Sequence, residues 1–416
     1  MSSQTSGRRL RASGFMKRRL GYACDGFSSL AIFVFLLAVS GWALAYDDRV
    51  DKKTFKIASF TTVGGAVIKD VRFGYETYGH LNAGKDNAIV ILPYFLGSGH
   101  AAGKYAASDE AAGYWDDIIG PGKPIDTDRY FVIAGDGLIN PAIKDGHTLS
   151  TGPASIDPHR GKPYGMRFPI LSMRDLVNAQ KALADSFKIK KLHAVMGLSM
   201  GGNQSIEWAA VFPESTERII AVASEVQASA YAIEYMDALS TCIKIDPSWN
   251  RGDYYGKAEP VAGLTAAVKV LLHQTEGYGA VAWAAGRKWT QLGSDPSRSW
   301  HNTYAAEAML DHFAQSFAAI LDANSFLYQT KAVQSYIAGD ARTLDAGLER
   351  IRARVLLLPA RSDLLAVPEY SRAAALRLKR LGKDVEYHEI PGNVGHIAAV
   401  ENITEVGDVI QRFLGE

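Results

Sequence analysis

Cysteine is nearly absent. The 416 residues include Cys24 and Cys242 and no others. Cys24 falls in an N-terminal segment that reads as a targeting signal, so the rest of the chain carries one thiol and no internal disulfide. Metal sites built on cysteine clusters are excluded with it. A chain of this length needs no such staples, because large domains bury enough apolar surface to be stable without them. Charge of one sign is missing too: Lys and Arg number 45 against 44 Asp and Glu. No basic stripe interleaved with aromatics occurs, so nucleic acid is not an expected partner. Internal repeats are lacking, and so is low complexity beyond the N-terminus. Apolar residues, at 47%, are plentiful and support a large core. The length would allow two or three domains, or one α/β unit with an insertion.

Residues 1–45 stand apart. They hold six basic residues and one acid, leaving 39 basic against 43 acidic in the remainder, a net charge of −4. Lys17, Arg18 and Arg19 precede an uncharged apolar run over residues 30–44, and Ala43-Leu44-Ala45 offers small residues for a signal peptidase. This order predicts a signal peptide cleaved after Ala45, with export to the periplasm or beyond. An uncleaved membrane anchor is the alternative, since residues 26–46 approach the ~20 needed to span a bilayer.

The rest of the chain is organised around Gly197-Leu198-Ser199-Met200-Gly201. Residues 191–196 (KLHAVM) read as a buried strand and 203–212 as a helix. A Gly-x-Ser-x-Gly turn between them would lift Ser199 above the carboxyl edge of a sheet and aim the Met200 amide at a developing oxyanion. Strands are expected at 56–62, 67–78, 88–93, 130–134, 219–224, 355–359 and 385–390. Helices are expected at 171–187 and 406–414, and almost only helical spacing appears from 228 to 341. The loop after 88–93 makes Tyr94 or Phe95 the candidate second oxyanion donor, through its backbone.

A serine nucleophile needs a base, and the base needs an orienting carboxylate. Chain order and position after strands select Asp363 and His396, with Glu369 as the rival acid. His193 reads as a core residue within the nucleophile strand. His100 is placed either at the pocket or on the surface.

Gly197-Leu198-Ser199-Met200-Gly201-Gly202, with Glu207-Trp208-Ala209, resembles the nucleophile segment of the homoserine O-acetyltransferase family of α/β-hydrolases. Thr151-Gly152-Pro153, Asp246-Pro247-Ser248-Trp249, Asp322-Ala323-Asn324-Ser325 and Ser362-Asp363-Leu364-Leu365 continue the likeness in the family's order. The resemblance implies Ser199, Asp363 and His396 as a catalytic triad under a helical lid. Two features depart from the family pattern. Ile397 follows the histidine where members that use homoserine carry Asp, and residues 238–242 lack the Arg of the lid segment.

The expected architecture is an α/β-hydrolase fold, with a mostly parallel central sheet flanked by helices and a helical lid insertion. Its parts are a signal peptide or anchor at 1–45, a core at 46–227 and 345–416, and a lid at 228–344. The expected activity is serine-dependent acyl transfer with no cofactor or metal, on a small-molecule acyl ester or acyl donor. Compartment and the two departures favour an exported esterase-like hydrolase over an O-acyltransferase using acyl-CoA. A non-catalytic binding protein on the same fold is a lesser alternative, and a homodimer is allowed.

Overall fold

Two short apolar runs form the centre of the sheet. In the computed structural model, which describes residues 49–415, β3 (Ala88–Leu92) and β4 (Phe131–Gly135) are buried along their whole length. They pair in parallel, as expected for strands covered on both faces. Alternation splits β3 between two cores: Val90 and Leu92 join one apolar cluster, Ile89 and Ile91 the other. Around this pair run β1 (Lys53–Thr61), β2 (Val67–Tyr78), β5 (Leu192–Leu198), β6 (Thr216–Val222), β7 (Arg354–Leu358) and β8 (Val385–Tyr387). The order across the eight-stranded sheet is β1-β2-β4-β3-β5-β6-β7-β8. Only β2 runs against its neighbours. The expected α/β-hydrolase architecture is therefore present. The segment assigned to targeting lies outside the described residues, and among the described ones no helix is long and apolar enough to cross a membrane.

Helix boundaries follow from local chemistry. The helix expected at 171–187 is α1 (Met173–Ser186), because Ser172 caps it: its hydroxyl accepts the Asp175 amide while the Asp175 carboxylate accepts the Ser172 amide. The helix after the Gly-x-Ser-x-Gly turn, α2 (Met200–Val211), starts three residues earlier than expected. Gly201 and Gly202 are poor helix formers, but there is no room for larger residues, since a Cβ at Gly201 would lie 2.2 Å from the Leu92 carbonyl oxygen. Every strand but β2 also differs at an end, and β6 starts at Thr216 rather than 219. The first begins at Lys53 rather than 56, and the last stops at Tyr387 rather than 390, leaving only a bridge between Ala360 and Ile390.

Between β6 and β7 the chain builds α3 (Ala230–Lys244), α4 (Val261–Thr275), α5 (Tyr278–Ala284), α6 (Ala305–Ile320), α7 (Ala323–Gln334) and α8 (Leu344–Leu348). The first of these packs on α4 and α7, and α4 packs on α6. Two of the family-like stretches meet here. Trp249 donates its indole N–H to Asn324 Oδ1 at 2.9 Å, and Asp322 caps α7 through the Ser325 amide at 2.8 Å. Those motifs hold the lid together rather than reach the nucleophile. The chain closes with α9 (Pro368–Arg380), α10 (Ala398–Glu401) and α11 (Gly407–Gly415).

At one end the lid is fastened to the segment carrying His396. The link from α4 to α5 forms a bridge between Glu276 and Gly395. The Gly277 amide donates to the Val394 carbonyl at 2.8 Å, and the Ile397 amide to the Thr275 carbonyl at 3.3 Å. A Cβ at Gly277 would meet the Gly395 nitrogen at 2.4 Å, so glycine is required for this approach.

Candidate active site

Ser199 sits between β5 and α2 with φ 56° and ψ −120°, a backbone region L-residues rarely adopt. The strain is imposed from both sides. A Cβ at Gly197 would stand 2.2 Å from the Gly201 backbone, so the two glycines allow the turn to close. Met200, the first residue of α2, is buried and lines the same cleft as Ser199. The first amides of a helix have no partner within it.

The carboxyl edge of the sheet supplies the other groups. Asp363 follows β7 and His396 follows β8. His396 Nδ1 lies 2.6 Å from Asp363 Oδ2, with both residues buried. The second oxygen of Asp363 accepts the amides of Leu365 (2.8 Å) and Ala366 (3.0 Å). A carboxylate accepts only, so Nδ1 carries the proton and Nε2 keeps its lone pair. The Ser362 hydroxyl holds the Gly395 amide at 3.0 Å and steadies the turn before the imidazole. Glu369, the rival acid, is exposed on the first turn of α9 and meets Arg372.

Beside Ser199 opens a cleft of about 520 Å³, part of it facing solvent. Its floor holds Phe95, Met200 and Asn203, while Ala232, Met236, Leu271 and Val333 come from the lid and Leu365 and Ala366 from the turn after Asp363. The wall is apolar but for Ser224, Asn203 and one ionisable group, Glu225. Of the two oxyanion candidates, Phe95 lines the cleft, its ring against Phe326 of the lid. Tyr94 packs its ring against Tyr114 in the core on the sheet's other side.

Behind that loop lies a buried charge cluster that sequence reading missed. Lys52 reaches Glu76 at 2.8 Å and Asp136 at 2.7 Å. Asp136 accepts the Gly99 amide at 2.7 Å, and Asn140 donates to the Gly97 carbonyl at 2.7 Å, so the 94–100 loop is tied down along its length. Burial opposes charge on all three ionisable groups. The pKa of Lys52 is nevertheless raised, by the two carboxylates. Glu76 is lowered, because His100 and Lys52 outweigh its burial. In Asp136 burial wins and the pKa rises. His100 is absent from the cleft wall and partly exposed: its Nδ1 is 3.1 Å from Glu76 and its ring stacks on Tyr105. His193 behaves as expected of a packed residue, half-buried with Nε2 2.7 Å from the Leu414 carbonyl oxygen. The signal that could have found Glu225 was its place just past a buried strand, on the edge where α/β sheets bind ligands.

Comparison with known proteins agrees with this geometry. Residues 121–403 match the family described as alpha/beta hydrolase fold. The homoserine O-acetyltransferase of Methanococcoides burtonii is 38% identical over 355 residues, 85% of this chain and 71% of that protein. Among solved structures, esterase E22 superposes with TM-score 0.84 at 40% identity, covering 88% of this chain and all of that one. A homoserine O-acetyltransferase from Bacillus anthracis gives 0.84 at 34%, covering 88% and 98%. The named curated relatives back acetyl transfer, the alternative in the sequence reading, better than the exported esterase it preferred. They also correct the expected location. Homoserine O-acetyltransferases are cytoplasmic biosynthetic enzymes, and this likeness overturns the periplasmic or secreted assignment built on residues 1–45.

Proposed function

We propose, from the premise that the chain belongs to the homoserine O-acetyltransferase family of α/β-hydrolases, that it transfers an acyl group through an ester on Ser199. The observation that carries this reading is the His396–Asp363 pair at 2.6 Å, on the same sheet edge as the strained Ser199 turn. Ser199 Oγ attacks the acyl carbonyl while His396 Nε2 takes its proton. Asp363 holds the tautomer and favours the imidazolium. The amides of Met200 and Phe95 receive the oxyanion. The leaving group departs with the proton from His396, and an acceptor hydroxyl, deprotonated in turn, lifts the acyl group from the serine.

The names of the relatives put homoserine first as acceptor, with an acyl-CoA or similar ester as donor. One observation favours water as a second acceptor. Among the described residues no basic side chain lines the cleft to receive homoserine's carboxylate, and a desolvated anion without a partner is costly. The likeness to esterase E22 points the same way. The test gives purified protein acetyl-CoA with homoserine in one arm and neutral acetyl esters in the other, with O-acetylhomoserine and free acetate followed by mass spectrometry. O-acetylhomoserine formation supports the first acceptor, and ester cleavage alone supports the second. In both arms Ser199→Ala removes turnover and labelling by a fluorophosphonate. Retention of the wild-type rate in that variant rejects the acyl-serine mechanism.

A further inference from the structure

One ionisable side chain lines the cleft, and the acyl-transfer machinery makes no use of it. Glu225 stands three residues past the end of β6 and is 8% exposed. Its carboxyl oxygens accept the Ser229 amide at 3.0 Å and the Ser229 hydroxyl at 3.3 Å. A carboxylate has about four acceptor positions, so part of its capacity stays open toward the cleft. Among the described residues no Lys, Arg or His pairs with it. Burial pushes its carboxyl above the usual range, the Ser229 bonds pull it back, and the charge of Asp363 pushes it up again.

The fold does not need that charge. Ser229 caps α3 with its own hydroxyl, which accepts the Ala232 amide at 3.1 Å, and a glutamine at 225 could accept the Ser229 amide through its oxygen while donating its NH2 to the Ser229 hydroxyl. What the charge offers is a partner for a cation entering a water-poor cleft. Its position says which half of the substrate meets it. Glu225 lines the same cleft as Leu365 and Ala366, whose amides bind Asp363, and the Asp363–His396 pair is where the alcohol leaves and the acceptor arrives.

We propose that Glu225 is a specificity-determining residue that receives an ammonium group on the alcohol half of the substrate, so that the favoured alcohols, as esters or as acceptors, are amino alcohols. This rests on the acyl-Ser199 reading. It takes in homoserine through its ammonium, and equally amino alcohols with no carboxylate.

The experiment uses two esters of the same shape, 3-(dimethylamino)propyl acetate, protonated at neutral pH, and 4-methylpentyl acetate, uncharged. Water adds across the acyl–oxygen bond of each to give acetate and the alcohol. The wild type should favour the cationic ester by on the order of 10-fold or more in kcat/KM, mostly through KM, as a charge-assisted contact implies. Glu225→Gln should erase the preference by slowing the cationic ester and speeding the neutral one. Equal rates in the wild type, or a parallel fall of both esters in the variant, would overturn the proposal and leave Glu225 a brace for Ser229. Binding of the free alcohols, 3-(dimethylamino)propan-1-ol against 4-methylpentan-1-ol, is measured in parallel by calorimetry. If Ser199 takes no acyl group, that binding ratio still decides the role of Glu225, and the two readings fail separately.

Discussion

Buried charge is handled in opposite ways on the two sides of the nucleophile turn. Behind the 94–100 loop, Glu76 and Asp136 close on Lys52 within 2.8 Å, while backbone amides bind Asp136 and the side chains of Tyr78, Tyr105 and His100 bind Glu76. Across the cleft, Glu225 is buried with a single serine for company. In the first place charges satisfy one another and fix the loop that carries the proposed oxyanion donor. In the second a carboxylate stays uncompensated where a substrate arrives. The contrast separates charge that builds the site from charge that meets a ligand, since a paired group has little left to offer a newcomer.

Substitutions can break this comparison at each point. The largest effect is expected at a third carboxylate, Asp363, which the proposed mechanism uses directly. Asp363→Asn should lower kcat by roughly 10⁴-fold by turning the imidazole to the wrong tautomer. Circular dichroism and melting should stay close to the wild type. Lys52→Met should act on stability instead. It strands two buried carboxylates, and losing one partner of a buried pair costs about 3–5 kcal/mol, read by denaturant unfolding. The pH dependence sharpens this. The pKa of Lys52 is raised from 10.5, so its contribution is whole below pH 10.5 and is lost as pH climbs through the folded value. The wild type should shed this stability in alkali, and Lys52→Met should not.

Glu207 gives a smaller effect of the same kind. Burial lifts its pKa from 4.5 to about 7, against the Gly339 amide and Arg174. A raised carboxyl stabilises fully below pH 4.5 and loses that contribution as pH rises through about 7. Glu207→Gln should flatten the stability curve across this window. The smallest change belongs to Glu369. Its replacement by Ala should alter stability by no more than ~0.5 kcal/mol, as for other exposed positions, and leave turnover alone. A loss like that of Asp363→Asn would hand the acid's role to the rival.

Much of this was legible in the sequence. The bounds of β2 were read to the residue because its alternation and its flanking glycines are local signals. Asp363 and His396 followed from chain order, since each comes in a loop just after a strand. The start of α2 was misread because propensity argues against two glycines, whereas close packing on Leu92 decides the matter. The Lys52–Glu76–Asp136 cluster left no trace. Its members lie 24, 60 and 84 positions apart, and pairing over such distances has no period to detect. Glu225 was passed over for a related reason. A lone acid after a strand means nothing until the fold buries it with no basic partner among the described residues.

The fastening between lid and imidazole has a consequence for timing. Backbone bonds from Thr275 and Gly277 flank His396 in the chain, reaching Ile397 and Val394. That end of the lid therefore cannot lift while the base stays in register, so admission of substrate and proton transfer cannot share one instant if traffic uses this side. Passage must then use another side of the partly open cleft, and α3, whose Ala232 and Met236 line it, offers the other wall. The amides of Gly277 and Ile397 should then exchange with deuterium in step and slowly, while those at the start of α3 exchange first. Early exchange at Gly277 would place the doorway at the clasp and make release of product compete with every turnover.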